Sequence, residues 1–421
     1  MGNSSSRQLN IGLRGITLCT RFLFVFFLAK YLDPASVGYY GLFTASVGYC
    51  LYFVGLDFYT YTTREILKTP NEQRGQLLKG QAALSGVMYL VLLPVAFFLL
   101  QHAGWPTGLA LWFFPILVLE HFNQEISRLL VAFSEQITSS LILFIRQGSW
   151  ALVIVALMTL DTTSRQLQTV MACWAGAGLV SGILGVLKLK KLHMGGWRNP
   201  TNWRWIKKGV KVSGAFLLAT LALRGVQILD RYWLESLVSI KVVGAYVLFT
   251  GVAGTLMVFL DAGVFAYAYP ELIMLHQHRQ YQKIQEKVKH MLGYTVLFSA
   301  GFSLISWELL PYLLGWIKNP VYSESLNMYP WILLAMVINA ISMVPHYALY
   351  SSGTDKPIIY SHIAALVAFP LTVWPMSHYW PTLAVLLGLN VSFSVILVWK
   401  TVTYLYAARI SSSQEAVPQS T

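Results

Sequence analysis

Apolar stretches long enough to cross a lipid bilayer follow one another along almost the whole chain. A transmembrane helix needs about 20 predominantly apolar residues. Twelve segments of the 421-residue sequence have this character: 9–30, 38–58, 78–100, 107–130, 138–160, 168–188, 209–234, 242–264, 291–314, 328–350, 357–378 and 382–406. Only 11% of the residues are charged and the mean hydropathy is +0.57, which excludes a water-soluble enzyme, a secreted disulfide-stabilised protein and a disordered chain. We therefore predict an all-α membrane protein with twelve transmembrane helices.

The basic residues fix the predicted orientation. With the N-terminus inside, twenty lysines and arginines fall on the cytoplasmic side, Lys400 and Arg409 among them, against four on the other side. By the positive-inside rule, both termini are expected to be cytoplasmic. The same rule accounts for the net charge of +13, so we expect no nucleic-acid partner.

An internal repeat divides the chain. Residues 37–66 and 243–272 align at a shift of 206 and are identical at 10 of 30 positions. These segments are the second and eighth spans, so the two six-helix halves enter the membrane in the same direction, as in many transporters with a pathway between the halves. We predict an N-terminal half (1–188), a basic cytoplasmic linker (189–208), a C-terminal half (209–410) and a disordered tail (411–421), with a central cavity between the halves.

Six arginines lie inside predicted spans, where an ionisable side chain costs roughly 2.5–3.5 kcal/mol near the midplane. They are Arg14, Arg21, Arg128, Arg146, Arg224 and Arg231. We predict that they line the cavity and bind an anionic head group such as a diphosphate, because guanidinium matches phosphate geometry. The alternative is that they pair with acids and only hold helices together, as Arg128 with Glu125 or Arg224 with Glu120 would do.

The fourth span carries a polar stripe that includes Glu120, His121 and Glu125. Carboxyl and imidazole groups inside a membrane can exchange protons near neutral pH, so these three are candidates for proton coupling. The alternative is a satisfied polar contact at a helix interface. No nucleotide-binding lysine motif and no cluster with metal-ligand spacing is present in the sequence, so no cofactor or metal is predicted.

The stretch 27–66 carries four short motifs: Tyr31-Leu32-Asp33-Pro34, Gly38-Tyr39-Tyr40-Gly41-Leu42, Gly55-Leu56-Asp57 and Arg64-Glu65-Ile66. In these motifs the chain resembles the opening of the Wzx-type O-antigen flippases, bacterial polysaccharide exporters of the multidrug/oligosaccharidyl-lipid/polysaccharide superfamily. The motif residues singled out are Asp57, Arg64 and Glu65, with Glu271 as the repeat partner of Glu65. The second half departs from the pattern, because Asp261-Ala262-Gly263 replaces Gly-Leu-Asp and Pro270 replaces the arginine.

The resemblance implies a transporter of the bacterial inner membrane that serves lipopolysaccharide biosynthesis. Such proteins move undecaprenyl-diphosphate-linked oligosaccharide from the cytoplasmic to the periplasmic leaflet by alternating access, as antiporters driven by protons. It also implies contact with membrane lipids and work beside a polysaccharide polymerase and a chain-length regulator.

Two alternatives stay open. One is an integral-membrane polysaccharide polymerase or ligase, although these enzymes resemble chains with large periplasmic loops, and the longest outside loop here has about 14 residues, near 314–328. The other is a drug or metabolite exporter of the same superfamily.

Overall fold

The computed structural model describes the backbone of residues 2–415 and the side chains of residues 8–10, 12–214 and 217–409. Over that range the chain is helical and contains no strand, so the all-α prediction is confirmed. The helices are α1 Gly2–Tyr31, α2 Pro34–Gly55, α3 Tyr59–Lys68, α4 Asn71–His102, α5 Thr107–Ala132, α6 Gln136–Phe144, α7 Trp150–Leu160, α8 Leu167–Lys190, α9 Trp203–Leu237, α10 Ile240–Leu260, α11 Ala266–Gln277, α12 Tyr281–Ile317, α13 Pro320–Glu324, α14 Tyr329–Ser351, α15 Asp355–Ser377 and α16 Pro381–Glu415.

Ten helical segments in the described part of the chain are long and apolar enough to cross a membrane. An eleventh candidate is α9, in which Trp203–Gly214 and Leu217–Leu237 meet at a bend of 53°. The remaining predicted span corresponds to α5, a 26-residue helix that carries the polar stripe and is not among these candidates. A multi-pass membrane protein follows from these lengths and compositions.

The chain forms two compact units, in agreement with the predicted two-half architecture. Unit 1 consists of Met1–Ser36 and Phe43–Leu218, and unit 2 of Val37–Leu42 and Ala219–Thr421. At the C-terminus, residues 411–415 are helical and continue α16, whereas residues 416–421 of the predicted disordered tail lie outside the described residues.

The predicted linker is packed onto unit 1. The carbonyl of Gly195 accepts a hydrogen bond from the Gly75 amide at 2.7 Å, and Lys79 donates to the carbonyl of Asn199 at 3.0 Å. A Cβ at residue 75 would lie only 2.5 Å from the Gly195 oxygen, so the close approach requires glycine there. Ile206, just before the second half begins, is buried against Phe58.

The two copies of the internal repeat interrupt their helices differently. In unit 1, α2 ends at Gly55, and both Leu56 and Asp57 have a φ of 49° before α3 begins. At the corresponding place in unit 2, α10 runs through a π-helical turn, Asp261–Phe265, directly into α11. The sequence difference between Gly-Leu-Asp and Asp-Ala-Gly therefore coincides with a helix break in one copy and a continuous helix in the other.

Candidate functional site

The first membrane helix presents two arginines that α6 and the turn after it hold in place. Arg14 Nε donates to Ser140 Oγ at 3.2 Å, and Arg21 Nη1 donates to Gln147 Oε1 at 2.9 Å. Both arginine side chains are exposed, and within the described side chains neither forms an ion pair with a carboxylate. We call Arg14 and Arg21 the α1 cationic face.

A π-helical turn, Ile145–Ser149, separates α6 from α7 and positions two polar side chains. Gln147 reaches Arg21, whereas Arg146 is buried inside unit 1. A Cβ at residue 148 would lie 2.9 Å from Phe144 Cδ2 and 3.4 Å from the Cα of Thr17, so the turn passes α1 at van der Waals distance and has little room for a larger side chain there. Single π-helical turns inside α-helices occur frequently at functional sites.

Arg146 is engaged in a buried ion pair. Its Nε lies 3.7 Å from Glu120 Oε2, and the other carboxylate oxygen, Oε1, accepts a hydrogen bond from Trp174 Nε1 at 2.8 Å. Trp150 donates to the Arg146 carbonyl at 2.8 Å and stacks on Trp174 with the ring centroids 5.7 Å apart. Arg146 therefore pairs with an acid, as the alternative to substrate binding predicts. Both carboxylate oxygens of Glu120 already have a partner within unit 1.

Arg128 is also paired, in the i to i+3 contact that the sequence suggests. Its Nη1 donates to Glu125 Oε1 at 2.6 Å, and Gln81 on α4 donates to the other oxygen of Glu125. The guanidinium carbon lies 3.5 Å from the centroid of the Tyr59 ring, which adds a cation–π contact. This arrangement joins α3, α4 and α5.

His121 differs from the other two candidates for proton coupling, because one of its ring nitrogens makes no hydrogen bond among the described residues. Its Nδ1 lies 2.9 Å from the Tyr89 hydroxyl, whereas the buried Nε2 has no hydrogen-bond partner among the described residues. A Cβ at residue 55 would lie 3.4 Å from that nitrogen, so Gly55 leaves the space beside it clear. Proton coupling by His121, Glu120 or Glu125 remains a prediction.

The two arginines of α9 differ in their surroundings. Arg231 Nη1 lies 3.1 Å from Asp230 Oδ1, and Tyr246 donates to the other oxygen of Asp230 at 2.6 Å. Arg224 has an exposed side chain and donates to Gln227 Oε1 on its own helix at 2.8 Å. Of the six arginines, Arg128, Arg146 and Arg231 thus form ion pairs with acids, and substrate binding stays a prediction for all six.

The residues of the family-like motif lie at the break after α2 and within the short helices α3 and α11. Asp57 is buried at the break between α2 and α3, whereas Arg64 is exposed and Glu65 half-buried on α3. In unit 2, Glu271 forms an ion pair with Lys287 on α12. For Glu271 the contact joins two helices of the same unit.

The sequence assigns Lys400 to the cytoplasmic side of the membrane and does not single out its burial. Its side chain is buried within unit 2 and only 1% exposed. Its Nζ lies 3.2 Å from His362 Nε2 on α15. The signal that could have found it is its place inside the apolar stretch 382–406, six residues before the predicted end of the span.

Solved structures with the same fold are transporters. The chain is similar to a multidrug resistance MATE family transporter of the MOP superfamily in an inward-facing conformation (TM-score 0.79, 12% identity, 97% of this chain and 100% of that chain covered) and in an outward-facing conformation (TM-score 0.62, 12% identity, 97% and 95% covered). A mutant of a MATE transporter from Vibrio cholerae matches with a TM-score of 0.58, 15% identity and coverage of 97% and 98%. No protein-family model and no curated protein matches the sequence. At these identities the comparison establishes a MATE-like transporter fold.

Proposed function

We propose that this chain is an exporter of the MOP superfamily that flips undecaprenyl-diphosphate-linked oligosaccharide from the cytoplasmic to the periplasmic leaflet of the bacterial inner membrane. The observation that carries the proposal is the α1 cationic face. In this account both termini are cytoplasmic, and polysaccharide polymerase and chain-length regulator act next to the flippase.

An exposed, unpaired guanidinium on a membrane-spanning helix is expensive unless it meets water, head groups or an anionic ligand. Arg14 and Arg21 are seven residues apart, which places their Cα atoms about 10 Å apart along one side of the helix. Each guanidinium has five N–H donors, and the hydrogen bonds to Ser140 and Gln147 use one donor each. The remaining donors suit a diphosphate, which offers several acceptor oxygens and negative charge.

The ion pairs of the other arginines sharpen this assignment. Arg146 and Arg128 already have carboxylate partners, so their charge is offset within unit 1. Among the described side chains, Arg14 and Arg21 have hydrogen bonds to neutral groups and no ion pair, so their charge is available to a passenger. The fold adds support, because the similar transporter is described in both inward-facing and outward-facing conformations.

A drug exporter is the second candidate, since a solved structure to which the chain is similar is a multidrug resistance transporter. A cationic drug would be repelled by the α1 cationic face, whereas an anionic compound would be attracted. The charge of unit 1 therefore favours the lipid-linked anion.

The test is the location of lipid-linked oligosaccharide in cells of the source bacterium that lack this gene. We expect single oligosaccharide units to accumulate on the cytoplasmic leaflet, with rescue by the wild-type gene and not by the double variant Arg14→Gln, Arg21→Gln. Arg198→Gln changes an exposed arginine of the linker region and should rescue fully. Unpolymerised units on the periplasmic leaflet would instead identify a polymerase or ligase, and normal surface glycan would leave a drug or metabolite exporter.

A further inference from the structure

A lysine and two histidines from three different helices meet inside unit 2. Lys400 on α16 is 1% exposed, His362 on α15 is 7% exposed, and Lys400 Nζ lies 3.2 Å from His362 Nε2. His346 on α14 is close enough to interact electrostatically with both. The buried Nδ1 of His346 has no hydrogen-bond partner in the part of the chain that is described, whereas His362 has the backbone of Ala219 within reach. We call these three residues the Lys400 cluster.

No carboxylate faces the lysine. Within the described side chains Lys400 forms no ion pair, and the charged or titratable groups that act on it are His362 and His346. On its own helix the next titratable group is Tyr404, one turn away. From α9, the backbone of Ala219 approaches His362.

Among the described side chains, the remaining elements packed around the cluster place no carboxylate in an ion pair with the ammonium. On α14, the ring of Tyr347 lies 5.5 Å from that of His346. Asp261, on the π-helical turn between α10 and α11, acts on Tyr347. On α12, which packs against α16, the ion pair of Lys287 is made with Glu271. The ammonium group of Lys400 is thus surrounded by bases rather than by acids.

The contact between Lys400 and His362 can form with the amine protonated or neutral, at a similar distance in both states. When Nζ is protonated, it donates to the lone pair of His362 Nε2. When Nζ is neutral, its lone pair can accept a hydrogen bond from His362 Nε2–H, the ring having exchanged tautomers. A buried ammonium without a counter-ion is costly, and this cost favours loss of the proton unless the surroundings stabilise the charge.

The Lys400 cluster also lies next to a proline inside α14. Pro345 precedes His346 inside α14 and removes one backbone hydrogen bond from that helix. Proline is a common cause of helix kinks. A change of charge beside this residue therefore acts on a helix that can bend.

We infer that the Lys400 cluster is a proton-binding site of unit 2 whose occupancy selects between the conformations of the transport cycle. One proton adds to the Nζ lone pair in one conformation and leaves it in the other. The inference rests on the proposed function in assuming a transporter that alternates between conformations. It adds to unit 1, where the coupling candidates lie on α5, a second protonatable site in the other unit.

The test measures conformation directly, without a substrate. The protein, with Cys19, Cys50 and Cys173 replaced by alanine, carries one nitroxide at Thr162 in unit 1 and one at Tyr379 in unit 2, both exposed positions. It is placed in nanodiscs of phosphatidylethanolamine and phosphatidylglycerol. The distance distribution between the labels is recorded by electron–electron double resonance from pH 5.5 to pH 8.5.

We expect two populations whose ratio changes with pH, by at most about tenfold per pH unit for a single proton. Lys400→Met mimics the neutral amine and should hold the high-pH population at every pH. Lys400→Arg keeps a permanent charge and should hold the low-pH population. Lys356→Met removes an exposed lysine of the same unit and should leave the wild-type profile unchanged.

The inference is overturned if both Lys400 variants keep the wild-type pH profile or shift it in the same direction. Should Lys400→Met fail to fold, His362→Gln decides, because it keeps an acceptor for Lys400 but cannot titrate. An unchanged midpoint in that variant also overturns the inference. Since no lipid-linked oligosaccharide is present, a negative result here is separate from the outcome in the deletion strain.

Discussion

The buried pair between Arg146 and Glu120 gives a quantitative prediction about unit 1. Arg146→Leu leaves the Glu120 carboxylate buried without its ion-pair partner, and Glu120→Gln leaves the guanidinium buried without an anion. Removing one partner of a buried pair typically costs about 3–5 kcal/mol, because the remaining charge is uncompensated. Glutamine keeps an oxygen that can accept the hydrogen bond from Trp174, so Glu120→Gln changes the charge and little else.

The double variant Arg146→Leu, Glu120→Gln should therefore lose less stability than the sum of the two single losses, by at least about 2 kcal/mol. The free energy of unfolding is measured for all four proteins by titration with sodium dodecyl sulfate. Arg128→Leu is the control, because the Arg128 side chain is 24% exposed against 7% for Arg146, and its loss should be smaller. Additive single effects, or losses below about 1 kcal/mol, would refute the view that this pair is structural.

Three further substitutions test local features. Asp33 accepts hydrogen bonds from two backbone amides at the start of α2, so Asp33→Ala should lower the free energy of unfolding by about 1 kcal/mol and Asp33→Asn by less, in the same titration. A Cβ at Gly388 would lie 2.4 Å from Val373, so Gly388→Val should cost about 1–3 kcal/mol by overpacking, whereas an unchanged transition would contradict this packing. Gly148→Val should push α1 away from the π-helical turn and increase the distance between nitroxides placed on these two elements, and an unchanged distance would exclude close packing there.

Ten of the twelve predicted spans, and α9 as an eleventh candidate, could be predicted because length and hydropathy mark them in the sequence. The motif Asp33-Pro34 has a purely local meaning, since the aspartate caps α2 and the proline occupies its first turn. The internal repeat likewise identified two halves, which the structure shows as two compact units. The spans and the cap depend on neighbours in sequence, and the repeat is a comparison of the sequence with itself, so a single sequence contains all three.

The partners of the intramembrane charges were harder to predict. The contact between Arg128 and Glu125 follows from helical spacing, whereas that between Arg146 and Glu120 depends on how α5 packs against the π-helical turn. The positive-inside rule assigned Lys400 to a side of the membrane but could not predict that its side chain is buried, because the rule does not describe the direction of a side chain. Burial of a charge near a span end depends on the helices around it, which hydropathy does not specify.

The most direct test of the central claim is flipping by the purified protein. Proteoliposomes that contain the protein and fluorescent undecaprenyl-diphosphate-linked oligosaccharide are treated with a membrane-impermeant quencher, and the rate at which inner-leaflet lipid becomes accessible is recorded under an imposed pH gradient. We predict transport by the wild type and by Arg198→Gln, and at least a tenfold slower rate in Arg14→Gln, Arg21→Gln. Equal rates in all three proteins, or no transport by the wild type, would contradict the account.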